Sequence, residues 1–402
     1  MDSTNQIIYL DHAATTPVSA EVLSAILPYF CNRYGNPSSN YGPGQQAKQA
    51  VEHARAQVAT ALGCTPQEIF FTSCGSESDN WVIKSTAHRL AAEGKRHLIT
   101  TAIEHHAVLH SMAALEKEGF DVTYLPVDRT GLVTAQQVQN ALRPDTALVT
   151  IMYANNEIGT IQPIAEIGAV CQNAGVLFHT DAVQAVGAVP IDVRAQNIDA
   201  LSLSAHKFNG PKGVGALYLK KGTPLPSLID GGAQESGRRA GTENVAGIVG
   251  LGAAIELATA QLAEKAKKLT ALRDYVIHTL TTTLPNVALN GHPTLRLPNN
   301  VNLSFEGIEG EGMLMLLDMR GICASTGSAC ASGSLDPSHV LLATGLPHEI
   351  AHGSLRLSFG AENTMQEAQA ACEALLDIVP RLRAMSPVWD DIASGKKPSL
   401  LR

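Results

Sequence analysis

Apolar residues follow two alternating rhythms between residues 60 and 220. Short runs rich in β-branched, aromatic and aliphatic side chains occupy 68–73, 97–101, 122–126, 147–153, 176–180, 200–204 and 215–219. Between them, stretches such as 76–92, 105–118 and 164–174 place apolar residues at helical spacing. Short apolar runs alternating with helices predict an α/β fold with a doubly wound, mainly parallel sheet. Ligands of such sheets bind beyond the carboxyl ends of the strands. From Asn244 to about Leu284 the pattern is almost continuously helical, and Glu264, Lys265, Lys267 and Lys268 mark a change from buried to solvated positions. Alternating strands at 301–305 and 355–359 and a closing helix at 365–385 then predict a smaller α+β unit. The expected division is a large domain over 16–262 and a small C-terminal domain over 263–402.

Composition narrows the function classes. A chain of 402 residues with 45% hydrophobic and 16% charged residues can bury a large core and is neither disordered nor repetitive. A net charge of −8 argues against nucleic acid or an anionic membrane as a partner. The longest apolar stretch, 245–255, contains three glycines and stops at Glu256, too short for a bilayer. The start, MDSTNQIIYLD, lacks the basic flank and apolar core of a secretion signal. Seven irregularly spaced cysteines without a C-x-x-C pair suggest neither a disulfide framework nor zinc, and the expected compartment is cytoplasmic.

Chemistry is then sought at the strand ends. After the run at 200–204, Ala205-His206-Lys207 leads into a Gly/Pro loop. A lysine directly after an apolar strand is poorly solvated, which makes its amine nucleophilic, and such lysines hold carbonyl cofactors, above all pyridoxal phosphate, as Schiff bases. Lys212, after Gly210-Pro211, reads as a loop lysine facing water. After 68–73, Cys74-Gly75-Ser76 opens a helix, either as a phosphate cradle or as a plain N-cap with an acidic first turn. Glu104-His105-His106 follows 97–101, where one imidazole could lie over a flat ligand or simply open a helix. His106 and His110 have the i, i+4 spacing of metal ligands, but no acidic or thiol partner is nearby. Asn155-Asn156 can grip a carboxylate or a phenolic oxygen, or can serve as ordinary turn residues. Asp181, ending an apolar strand, is either an N-cap or the charge that keeps a pyridine nitrogen protonated.

Taken in order, Tyr9-Leu10-Asp11-His12-Ala13-Ala14-Thr15-Thr16-Pro17, Gly35-Asn36-Pro37-Ser38-Ser39, 72–80, Glu104-His105, 155–159, 179–184 and 204–213 resemble the cysteine desulfurases. These are class-V aminotransferase relatives with the fold of type I pyridoxal-phosphate transferases. The resemblance runs from Tyr9 to about Pro387. It implies pyridoxal 5′-phosphate on Lys207, with His105 stacked on the ring, Asp181 at the ring nitrogen and Gln184 at the ring hydroxyl. Gly75, Ser76, Ser204 and His206 would hold the phosphate, together with Thr242 from the loop 231–244 of a homodimer partner. By composition alone that loop reads as a solvated connector. The family pattern also gives Arg356, Asn156 and Asn36 to the substrate carboxylate, lists Asn156 among the cofactor contacts, and packs residues 1–15 against the small domain.

Most cysteines are small core residues, and Cys31, Cys64, Cys171, Cys323 and Cys372 read that way. Cys330 does not, because Thr326-Gly327-Ser328-Ala329-Cys330-Ala331-Ser332-Gly333-Ser334 lacks a core-facing pattern and reads as an exposed loop. Its Ser-Ala-Cys resembles the active-cysteine loop of the family, whereas Cys74 reads as non-catalytic. The resemblance implies desulfuration of L-cysteine to L-alanine, with Lys207 and His105 as further catalytic groups and the sulfur held on Cys330 as a persulfide. The acceptor implied is an iron–sulfur scaffold protein, with no resident metal beyond Cys330 as a ligand of a transferred cluster. Cys74 and the stretches 238–245 and 382–387 look most like the nitrogen-fixation branch. A selenocysteine lyase or an aminotransferase shares the fold but has less use for the Cys330 loop. A non-catalytic scaffold has no use for Lys207, Asp181, His105 and Arg356.

Overall fold

The computed structural model describes residues 7–326 and 337–401. Among these the strands are β1 (Ile8–Tyr9), β2 (Ile69–Thr72), β3 (His97–Thr101), β4 (Asp121–Leu125), β5 (Thr146–Thr150), β6 (Leu177–Asp181), β7 (Ala200–Ser204), β8 (Gly215–Leu219), β9 (Val287–Leu289), β10 (Asn300–Phe305), β11 (Ile322–Cys323) and β12 (Ser354–Ser358). Seven form one sheet in the order β2-β8-β7-β6-β5-β3-β4. The pairs from β4 through β7 are parallel, and β8 runs antiparallel to both β7 and β2. Every residue of β2, β3, β5, β7 and β8 is buried. This follows from helices on both faces and explains why these strands read as apolar runs rather than alternating ones.

The seven expected strands are all present, and the expected helices appear as Gly75–Ala91, His106–Lys117 and Ile164–Ala174. Chain order along the sheet reverses at β3, whose neighbours are β4 and β5. That reversal opens a crevice beside the carboxyl ends of β3, β5, β6 and β7. On one face the helix Gly42–Leu62 packs on Val245–Ala260. The approach is close enough that a Cβ on Gly252 would lie 2.7 Å from Ala54 Cα, so glycine is required there.

The helical stretch after Asn244 is not continuous. It breaks at Gln261 into Val245–Ala260 and Leu262–Thr283, which bend 73° apart. A separate apolar core then gathers Leu272 and Val276 with Leu303, Phe305, Leu357 and Ile378. Here β10 pairs antiparallel with β9 and β12. The helix Met365–Ala384 opens with a reciprocal capping box between Thr364 and Glu367. Leu10 joins this core, and β1 pairs in parallel with β11. No single described helix is long and apolar enough to cross a membrane.

Two expectations from composition are corrected. Cys31 is exposed rather than part of the core, while Cys171 and Cys372 are buried. The loop 231–244 is not a free connector. Glu235 is buried, forms a two-pronged pair with Arg55 at 2.8 Å on each arm, and accepts the Phe71 N–H at 2.8 Å. This anchoring holds Glu235 and Ser236 at φ of 47° and 59°, a left-handed conformation that non-glycine residues adopt reluctantly.

Candidate active site

A cavity of about 390 Å³ opens at the carboxyl ends of β3, β5, β6 and β7, within the usual range for small-molecule sites. Lys207 closes a single 3-10 turn directly after β7, and its ammonium donates to the carbonyls of Ala13 (2.6 Å) and Ala14 (2.8 Å). The segment after β1 is therefore the floor of the site. Gln184 Nε2 also donates to Ala13 O at 3.0 Å, Thr16 N–H donates to His206 O at 2.9 Å, and His206 Nδ1 lies 3.1 Å from Thr15 Oγ1. Burial, then the charges of Lys207 and Lys212, push the His206 imidazole down to about 4, so it is neutral near pH 7. Lys212 itself is exposed and does not line the cavity.

The helix Gly75–Ala91 aims its N-terminus at the same space. Its N-cap residue, Cys74, makes no side-chain cap, so the first-turn N–H groups are not closed off by a capping side chain. The acid of the first turn is engaged elsewhere: Glu77 accepts the Ser73 N–H at 2.8 Å and pairs with Arg239 at 2.8 Å. A Cβ on Gly75 would come within 2.5 Å of Val183 Cγ2, so only glycine lets the helix start press against the β6 end. Gly75, Ser76 and buried Ser204 all line the cavity. The helix start is thus open towards the cavity, as a phosphate cradle requires.

His105 is the N-cap of the helix His106–Lys117. Its Nδ1 accepts the Ala107 N–H at 3.1 Å, which leaves Nε2 as the protonated nitrogen of the neutral ring. Asp181, 7% exposed, receives the Val183 N–H at 2.9 Å. The ring of His106 lies 5.0 Å from that of His110 and 4.8 Å from that of His339. Among the described residues, however, no three His, Cys, Asp or Glu side chains converge as a metal ion requires.

The two neighbouring asparagines divide their roles. Asn155 is buried and turns the chain, its Oδ1 accepting the N–H groups of Glu157 (2.8 Å) and Ile158 (2.9 Å), while Asn156 lines the cavity. Arg356 reaches the cavity from β12, donating to Asp11 Oδ1 at 2.8 Å and to Asn156 O at 3.1 Å. The structure thus gathers Lys207, Gly75, Ser76, His105, Asn156, Asp181, Gln184, Ser204, His206 and Arg356. It does not gather Asn36 or Thr242. Asn36 is exposed and accepts the Ser38 N–H at 2.9 Å; Thr242 is exposed beside a separate pocket with Ser73 and Arg239. Cys330 lies outside the described residues.

Residues 8–370 match the model of the aminotransferase class-V family. The chain belongs to that family. It is 58% identical to a protein of Methanosarcina thermophila named cysteine desulfurase IscS, over 96% of this chain and 95% of the relative. A protein of the same name from Clostridium botulinum strain Hall is 56% identical over 98% and 99% of the two chains. A solved structure described as a NifS-like protein superposes with a TM-score of 0.88 at 40% identity, covering 94% of this chain and all of the other.

Class-V aminotransferases use pyridoxal 5′-phosphate, and the residues present fit that group. An uncapped helix start with a glycine that leaves no room for a Cβ suits a phosphate. A buried carboxylate at a strand end suits a ring nitrogen, and an amine held over the cavity floor suits the carbonyl carbon.

Three groups of this class-V site escaped sequence reasoning. Asp79, one turn into the cradle helix, lines the cavity, as does Glu157, and Asp11 orients Arg356. Asp79 and Glu157 sat in quoted motifs, but nothing in their local pattern distinguished them from solvated acids.

Proposed function

We propose that this chain is a cysteine desulfurase that converts L-cysteine to L-alanine and passes the sulfur to Cys330 as a persulfide. The convergence of Lys207, Asp181, His105 and Arg356 on one cavity carries the reading, in a chain 58% identical to a protein named cysteine desulfurase. Bound there, pyridoxal phosphate supplies a carbonyl carbon for the substrate's amino group and a ring that draws electrons from the adjoining Cα. Lys207 anchors it and then takes the Cα proton and returns one, as base and acid. Asp181 would keep the ring nitrogen charged, His105 would stack on the ring, and Gln184 would bond the ring hydroxyl. Gly75, Ser76, Ser204 and His206 would hold the phosphate. Arg356 and Asn156 grip the substrate carboxylate; Asn36 joins them on the resemblance alone.

The sulfur step uses the chain's own thiol. Cys330 thiolate attacks the substrate sulfur, an S–S bond forms, and the Cβ–S bond breaks. The electron pair of that bond is left on the carbon side, and Cβ takes up one proton on the way to alanine. We assign Thr242 to the partner's phosphate in a homodimer, an assignment supported by its exposure outside its own cavity. The separate cores around Leu272 and around the large sheet support two domains, 16–262 and 263–402 with 1–15. A cytoplasmic enzyme delivering sulfur to an iron–sulfur scaffold protein completes the reading. Cys74 and the stretches 238–245 and 382–387 favour the nitrogen-fixation branch.

The test is L-cysteine turnover by wild type beside Cys330→Ala, following alanine, sulfide and the visible absorbance of the cofactor together. The reading expects yellow wild type that makes both products with a reductant, and a yellow variant that makes neither. Sulfur release by the variant at the wild-type rate would instead favour a lyase.

A further inference from the structure

Three buried carboxyl groups line the cavity; Glu157 is given a donor by the Ser338 hydroxyl, which leaves Asp181 and Asp79 to compare. Asp181 ends β6 and is given a donor, the Val183 N–H at 2.9 Å. Asp79 is more deeply placed, 1% exposed, and among the described residues no hydrogen-bond donor reaches its Oδ1. The Ser202 hydroxyl is the donor that faces this carboxyl, and His179 Nε2 lies 3.7 Å from Oδ1, beyond hydrogen-bond reach. That nitrogen already engages Ser202 Oγ at 2.9 Å, and His179 Nδ1 engages Thr150 Oγ1 at 2.7 Å. A buried carboxylate with one oxygen unpartnered and a single hydroxyl donor is disfavoured, and two like charges lining one pocket disfavour each other further.

The fold therefore treats the two acids unequally. We propose that Asp79 is a positioning residue that acts as a neutral acid: it holds the proton of the pair and leaves Asp181 the negative charge that would face the cofactor's ring nitrogen. This rests on the reading of Asp181 as the ring-nitrogen partner. Pairs of acids whose surroundings separate their proton affinities are a general device for assigning charge in an active site.

The groups facing Asp79 agree with this. Burial pushes it well above the ordinary carboxylate range, the Asp181 charge adds to that, and Glu104 and Cys74 push the same way, while the Ser202 hydroxyl pulls down. Burial also raises Asp181, but His105, the Val183 N–H and Lys207 pull it back. His179, driven by burial down to about 3, is neutral and offers Asp79 no countercharge. Burial drives Glu104 up to about 8, against the pull of the Thr101 hydroxyl and the Met152 N–H.

Asp79→Asn replaces a protonated acid by a neutral group of the same shape. A carboxyl raised in the folded state contributes stability that is lost as pH climbs from its unfolded value near 3.9 toward its folded value. The wild-type holoenzyme should lose stability over that window while Asp79→Asn does not. The variant should melt about 2 °C or more above wild type near pH 7.5, with the gap closing near pH 4. An equal or lower melting point throughout overturns the proposal.

Should Asp79→Asn not fold, isotope-edited infrared spectra of wild-type holoenzyme with labelled aspartate decide instead. A protonated aspartic C=O band near pH 7.5 supports the proposal, and carboxylate bands alone overturn it. The underlying reading is tested apart from this. Asp181→Asn should alter the visible absorbance of the bound cofactor and Asp79→Asn should not. If Asp181→Asn leaves it unchanged, the ring-partner reading fails, while melting and infrared still decide which acid holds the proton.

Discussion

Arg356 and Arg296 are both almost wholly buried, 1% and 4% exposed, yet their surroundings differ in kind. Arg296 sits in a cage of neutral oxygens. Its guanidinium donates to the carbonyls of Asn300, Asn290, His292 and Ile158 at 3.1–3.3 Å. It joins the turn after Asn155 to the strands β9 and β10, and it borders none of the described cavities. Arg356 instead takes a carboxylate, Asp11, and faces the active-site cavity. One arginine is saturated by backbone and serves as mortar. The other is steadied by one acid so that its fork presents to a space where a substrate carboxylate can enter.

The largest effect expected from this contrast is at Arg356. Arg356→Gln should lower kcat/KM for L-cysteine by about 100-fold, chiefly through KM, since charge-assisted hydrogen bonds to a carboxylate are lost. Steady-state kinetics decide it, and an unchanged kcat/KM would remove Arg356 from the substrate site. Arg296→Met should do the reverse. It strips donors from four carbonyls, three of them buried, which should destabilise the fold by about 3 kcal/mol in urea unfolding, while kcat/KM stays within about twofold of wild type. A kinetic defect larger than that in a folded Arg296→Met protein would erase the distinction between the two sites.

The sheet was readable because its evidence is local. Buried strands read as apolar runs, and each strand end names the residue that follows it, which is how Lys207, Asp181, His105 and Asn156 could be picked out one by one. Arg356 was readable from its strand alternation together with the family resemblance. What stayed hidden depends on partners far apart in the chain. Asp11 and Arg356 are separated by 345 residues, and Glu235 and Phe71 by 164. Glu235 looked like a loop acid because its burial is created by Arg55 and the β2 backbone, neither of which its neighbours in sequence announce. Asp79 looked like a solvated helix acid for the same reason. Arg296 carried no mark at all, because neutral carbonyls leave no pattern of opposite charge to search for.

A third arginine tests whether a paired guanidinium outside both categories matters less than either. Arg239 and Glu77, with side chains 21% and 10% exposed, join the Thr242 loop to the first turn of the cradle helix. Burial pushes the Glu77 carboxyl up, but Arg239 and the hydroxyl and N–H of Ser73 outweigh it and hold the group below the ordinary carboxylate range. A depressed carboxyl contributes stability that is complete above its unfolded value, near 4.3, and is lost as pH falls through the folded value. Arg239→Ala should therefore cost about 1 kcal/mol near pH 7, less than a fully buried pair because solvent screens part of the interaction. The deficit should shrink in urea unfolding as pH drops below about 4, where Glu77 becomes protonated in wild type as well. A deficit independent of pH would mean that Arg239 acts through its packing against the loop rather than through its charge. The cradle would then be held by shape alone, and the loop's grip on it would no longer depend on the acid that opens the helix.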